Sequence, residues 1–302
     1  MAATSNQSNQ VLEAMVWYYG KRQCRRITFV GDTSGSLAAV YWDLNTINED
    51  YSEEQYYIWL DDGSTSVDPM LAGKTGIQVV YSQNDDAATI AGLVEAALAA
   101  NDVVVTNQGN GVLQIENKFL GAITVEDTAD AVVFTFEILS LGKGGELGAL
   151  AAGGATLSTE QSLETITRDD EGEIPQDLIS KGASYTIEMT IAEMTSDNWL
   201  RLVGESYGDT HTEGSDDFVG YGTDKLYQSA FGFAGQLVGH PKRLPNTDRS
   251  ADVCMWLTPS NMTSINYTGQ EAQGASFSFT GLPDRNKPAS INIFARGDHS
   301  LL

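Results

Sequence analysis

The chain has 302 residues, of which 41% are apolar, and a formal charge of −24; that is enough apolar material for real cores and length for two ordinary domains. So acidic a chain repels phosphate backbones within a Debye length, which argues against tight or sequence-specific nucleic-acid binding. The first ten residues are polar, VLEAMVWYY is interrupted by Glu13, and no apolar run reaches the length of a membrane span, so neither a secretory leader nor a membrane partner is expected.

Residues 1–10 read as a polar arm ordered by contact with neighbours. Residues 1–30 carry a net +3, against −16 for 31–141 and −11 for 142–302. The basic cluster Lys21, Arg22, Arg25 and Arg26 therefore predicts a subunit contact with acidic neighbours, a solvated basic turn being the alternative. Residues 27–141 read as a separate α+β module of about six short strands divided by Gly, Asp and Asn turns. One helix is predicted within it: Asp85 can cap it, and Ile90, Leu93, Val94, Ala97 and Leu98 form one apolar stripe. Glycine and alanine in GKGGELGALAAGG, residues 142–154, mark the seam.

Beyond the seam, residues 153–203 predict a strand, an acidic loop, a second strand and a short helix. Tyr185, Ile187, Met189 and Ile191 alternate with Thr186, Glu188 and Thr190, the period of a half-buried strand. The first strand, residues 156–167, is too polar for an ordinary core on its outward face. Residues 169–182, with Asp169, Asp170, Glu171, Glu173, Pro175 and Asp177, read as a hairpin loop of unusual length. Thr195 or Ser196 is the expected cap of a helix whose stripe is Trp199, Leu200 and Val203. Residues 204–224 read as a surface loop, 240–249 as an extended connection, and the remainder as further strands such as ASFSFTG.

No catalytic or cofactor constellation emerges. AGKTG at 72–76 lacks the first glycine of a phosphate loop, position 68 being Asp. DTHTEGSDD, around His211, gathers carboxylates without the spacing of a calcium loop, and solvation is the simpler reading. Cys24 and Cys254 have no partner at ligand spacing and read as small core residues, so no metal or disulfide framework is expected.

GGATLS followed by ETITRDDEGEIPQDLISKGASYTIEMTIAEMT resembles the signature hairpin of tail tube proteins of long-tailed bacteriophages, and HPKRLPNTDRSADVCMWLTP extends the likeness more loosely. The resemblance implies a mainly β protein: a tail-tube-type β-sandwich or barrel with a flanking helix, six copies per ring, rings stacked into a tube. Residues 1–26 would be an arm and the first part of the tube domain, and 142–302 the rest of it. The loop 169–182 would touch the next ring, and Thr156, Ser158, Glu160 and Glu164 would line a lumen through which phage DNA passes without sticking. The segment GSLAAVYWDL to DDAATIAGLVEAALAAND resembles a small domain appended to phage structural proteins, which implies that residues 27–141 are an outer decoration domain. The implied setting is a virion assembled in the host cytoplasm, with self and other tail proteins as partners and no enzymatic activity. Two alternatives stay open: a capsid decoration or head protein, and a carbohydrate- or cell-surface-binding module using Tyr56, Tyr57 and Trp59.

Overall fold

The computed structural model describes residues 15–64, 66–126, 134–167, 175–192, 194–204, 209–213, 216–223, 226–266 and 274–301. It is mainly β. Contacts divide the chain into a first unit, up to Tyr19 together with Glu146–Ser300, and a second, Gly20–Gly145. The C-terminal boundary of the second unit falls inside the predicted seam. Its N-terminal boundary precedes the predicted residue 27, because Cys24–Thr28 pairs with strands of the second unit.

The described residues begin with β1 (Met15–Lys21) and then build the second unit from β2 (Cys24–Thr28), β3 (Tyr41–Ile47), β4 (Glu53–Asp61), β5 (Thr75–Val80), α1 (Ala87–Leu98), β6 (Val103–Gly109), β7 (Val112–Asn117) and β8 (Thr135–Ser140). One sheet has the order β6-β7-β2-β8 and the other β3-β4-β5, the last pair parallel. Their shared core takes Ile27 from β2, Trp42 and Leu44 from β3, Ile58 and Leu60 from β4, and Leu113 and Ile115 from β7. Helix α1 buries Ile90, Ala91, Val94 and Leu98 in that core, much as the stripe predicts. Its cap is Asp86, which accepts from the Thr89 amide at 2.8 Å; Asp85 instead accepts from the Ser82 amide, closing the turn before the helix.

Two buried carboxylates organise this unit. The Glu126 side chain is 0% exposed and lies 2.9 Å from Arg25, which is equally buried. It also accepts from the Asn45 amide at 2.7 Å, while Arg25 donates to the Asn45 carbonyl and to Asn117. Burial pushes the Glu126 carboxyl upward, and the guanidinium beside it only partly pulls it back. Asp32 accepts from the amides of Gly35, Leu37 and Asn84 at 2.8, 3.0 and 2.8 Å. Burial raises its pKa, but these hydrogen bonds outweigh that and hold it below the usual carboxylate range.

β9 (Lys143–Glu146) straddles the boundary, and the first unit continues with β10 (Leu150–Thr167), β11 (Pro175–Ile191), α2 (Ser196–Trp199), β12 (Asp209–Glu213), β13 (Asp216–Gly220), β14 (Gly235–Pro241), β15 (Val253–Thr258), β16 (Ser260–Asn266), β17 (Gly274–Thr280) and β18 (Phe294–Arg296). A sheet β18-β15-β14-β1-β9 contributes Trp17, Tyr19, Leu237 and Met255 to a core completed by Ile187, Met189, Ile191, Phe277 and Phe279 of the sheet β10-β11-β17-β16. This is a β-sandwich, with the Tyr19 and Phe279 rings 5.5 Å apart across its middle.

Three local expectations change. Thr195 caps α2, but the chain continues as a π-helical turn, Leu200–Gly204. That wider turn shifts the phase, so Leu202 and Val203 are buried and Leu200 is 40% exposed. Within 204–224, β12 and β13 form a hairpin rather than an open loop. Residues 240–249 fold into two tight turns, Leu244 donating to the Pro241 carbonyl and Asp248 to that of Pro245.

Removing one member of the Arg25–Glu126 pair leaves the other charge buried alone, so Arg25→Met should cost the second unit roughly 3–5 kcal/mol in denaturant unfolding, and Arg25→Met with Glu126→Leu much less than the sum of the two single losses. Additive losses contradict the pairing. Asp32→Asn should cost roughly 1–3 kcal/mol near neutral pH. Because the folded carboxyl is depressed, its contribution is present above the unfolded value of about 3.9 and is lost as pH falls through the folded value. The stability gap between wild type and Asp32→Asn should therefore close in acid, and a gap that widens below pH ~4 refutes the assignment.

Candidate functional site

The largest departure from an ordinary sandwich is the β10–β11 pair. Strand β10 runs for 18 residues and pairs with β11 from Leu150↔Ile191 to Thr167↔Pro175, with shifts of register after Leu150, Ser162 and Ile166. β17 covers β11 only over Thr186–Ile191. Among the described residues, Thr159–Thr167 and Pro175–Tyr185 therefore form a two-stranded ribbon beyond the sheet, and β10 is an edge strand along its whole length. The expected fourteen-residue loop is shorter than predicted, because 175–182 belong to β11. Pro175 opens the strand and Asp177 lies opposite Ile166, while Asp169, Asp170, Glu171 and Glu173 fall outside the described residues.

Register sorts the side chains into two faces. Ile187, Met189 and Ile191 pair with Phe279, Phe277 and Ala275 on the core side. On the other side Thr156, Ser158 and Glu160 stand opposite Glu188, Thr186 and Ser184; Thr186, Glu188 and Thr190 in turn meet Thr280, Ser278 and Ser276, and Asn261 and Ser264 follow on β16. The hydroxyls bridge the strands, Thr190 Oγ1 lying 2.8 Å from Ser276 Oγ. Among the described residues, over Thr156–Glu160 and the positions paired with them, this outer face is a field of hydroxyl, amide and carboxylate groups without an aliphatic or aromatic side chain. The predicted positions Thr156, Ser158, Glu160 and Glu164 fall together on it.

Further along the ribbon the pattern breaks. Lys181 is an extra residue between the pairs Ser162↔Gly182 and Leu163↔Ser180, a bulge whose side chain reaches Glu164 at 2.8 Å. Glu164 is thus paired, and the field beyond Glu160 is less negative than the sequence implies. Past the bulge Leu163, Ile166, Leu178 and Ile179 are 39–56% exposed, apolar side chains on both faces of a ribbon that has no core to bury them.

The basic cluster is used differently from the prediction. Arg25 is spent on Glu126, Arg22 is buried 3.6 Å from Glu116, and Arg26 lies 3.2 Å from Glu137. Lys21 is half-buried at the end of β1. The three arginines face acidic residues of β7, β8 and the 118–126 segment, so they hold their own unit together instead of offering a basic contact surface. The sugar platform is not formed either: Tyr57 and Trp59 are 3% and 7% exposed. Both faces of β4 are covered, with Tyr56, Ile58 and Leu60 on the core side and Tyr57 reaching Asp68 on the other. Lys74 of AGKTG is paired with Asp43. Among the described residues no group of three or more His, Cys, Asp or Glu is arranged to hold a metal, and no helix is long and apolar enough to cross a membrane.

Cys254 is fully buried; Cys24 is partly buried, and burial, aided by Glu116, pushes its thiol up to about 11, as befits a packing residue. Sequence reasoning missed a buried cluster of His240, Arg249, Asp252 and His299, whose members span sixty positions with no periodic signal. No family model matches the chain, and no curated protein is significantly similar to it.

Proposed function

We propose that the chain is a virion structural protein, the major tail tube subunit of a long-tailed phage, working by assembly rather than by catalysis. What carries the reading is the coexistence of an 18-residue edge strand, a ribbon with exposed Leu and Ile, and a wide polar sheet face. An isolated two-stranded ribbon is only marginally stable in water, and a long unpaired edge is a liability that natural proteins cover. Neighbouring copies arranged head to tail cover both: each β10 edge is closed by the next subunit, and six such contacts close a ring. The polar face, carrying Thr156, Ser158, Glu160 and Glu188, then lines the lumen, where hydroxyls and carboxylates give passing DNA nothing to bind. The tip between β10 and β11 meets the adjacent ring. The second unit, with its own core and an acidic surface, serves as the outward decoration.

Electron microscopy of the purified protein at rising concentration tests this. Hollow tubes or six-fold rings of uniform diameter with external knobs are expected, and Leu163→Asp with Leu178→Asp should abolish them while changing subunit stability by no more than about 0.5 kcal/mol per site. A monomer or small closed oligomer at every concentration overturns the tube assignment and favours a capsid decoration role.

A further inference from the structure

In the second unit one buried cation has more donors than the protein fills. Arg25 is 0% exposed, and its described partners all meet a single nitrogen. Nη2 lies 2.9 Å from Glu126 Oε1 and donates to the Asn45 carbonyl at 3.0 Å and to Asn117 Oδ1 at 3.2 Å. Nε and Nη1 are buried as well, and neither has a hydrogen-bond partner among the described residues. The N–H groups of both nitrogens are therefore left over. Donors buried in this way forfeit their hydration without a return, which native interiors rarely tolerate.

Register sets an unpartnered oxygen beside them. Arg25 stands opposite Ile115, a core residue, and so projects from the inward face of β2. On β3, Thr46 alternates with Trp42 and Leu44 and projects inward too; it is 0% exposed, and its Oγ1 has no partner among the described residues. Thr46 directly follows Asn45, whose carbonyl oxygen Arg25 already touches, so hydroxyl and guanidinium meet at one junction between the two sheets. They do not bond each other. Buried polar groups that are adjacent yet outside direct reach are what a bridging water joins.

Charge selects the occupant. Arg25 is already balanced by Glu126, so an anion brings an unpaired charge into the interior, and a cation finds no lone pair on the guanidinium. Water is neutral, accepts from an arginine N–H and donates to a threonine oxygen.

We propose that Arg25 and Thr46 hold an ordered internal water between the inward faces of β2 and β3. The site stands independently of the tube assignment. A density map of the full-length protein, from a crystal or from an assembled polymer, reads it directly at a resolution that shows ordered water. The expected result is a water within hydrogen-bond distance of Thr46 Oγ1 and of Arg25 Nε or Nη1, lost in Thr46→Val and kept in Thr46→Ser. A wild-type map without that water, with Nε and Nη1 donating to protein oxygens instead, overturns the proposal. Density that bromide replaces marks an anion and overturns it too, as does a water that stays in place in Thr46→Val. If Thr46→Val does not fold, the wild-type map and the bromide exchange still decide the matter.

Discussion

The first unit depends on the pairing of β10 with β11. Over Thr186–Ile191 the second strand is held on both sides, by β10 and β17, and its alternate residues are driven into the core by Phe277 and Phe279. Beyond Tyr185 the same ladder continues without a third strand or a hydrophobic face to support it. Backbone groups on the free edge of β10 and exposed Leu and Ile on the ribbon are tolerated in water only at a cost. Such a geometry makes physical sense when another chain completes it, and that need is what connects the fold to the proposed assembly.

Polarity is distributed in a way that fits the same proposal. The sandwich has one apolar interior and one wide polar exterior, separated by a single strand thickness through the strict alternation of β11 and β17. Sliding either strand by one residue would bring Glu188 into the core and Phe277 out, so register is fixed by burial rather than by the turns. The second unit reaches uniqueness differently, through buried polar contacts. Arg25, Glu126, Asn45 and Asn117 link two strands of one sheet, one of the other and the segment before residue 127, at positions where an apolar residue would fit several registers.

Much of the architecture was legible in the sequence because the relevant signals are local. The period of two in YTIEMTI and ASFSFT located both central strands, the stripe from Ile90 to Leu98 located the helix, and the glycine-rich seam located one boundary between units. What was not legible depends on distant partners. Arg25 looked like part of a basic surface because Glu126 is a hundred positions away, and only the fold brings the carboxylate to it. Period-two alternation puts Tyr57 and Trp59 on one face and reads that face as core, which weighs against a platform; in the structure both are buried, but Ile58 and Leu60 of the opposite face take the core, because both faces of β4 are covered. The length of the ribbon was underestimated for a different reason: Pro175 and the acidic run before it are turn signals, yet proline is tolerated at the first position of a strand, where it forfeits no inner ladder bond. At the candidate site, the even spacing of positions 156, 158, 160 and 164 puts them on one face of β10, whereas the bulge at Lys181 and its ion pair with Glu164 depend on the register.

The central claim is that the free edge of β10 and the polar sheet face are completed by other copies of the chain. A reconstruction of the assembled polymer at side-chain resolution addresses it most directly. The account predicts that β10 is hydrogen-bonded along its outer edge to a strand of the neighbouring copy, with Glu160 and Glu188 directed into a central channel. A polymer in which that edge faces solvent, or in which those two carboxylates lie on the outer surface, contradicts it.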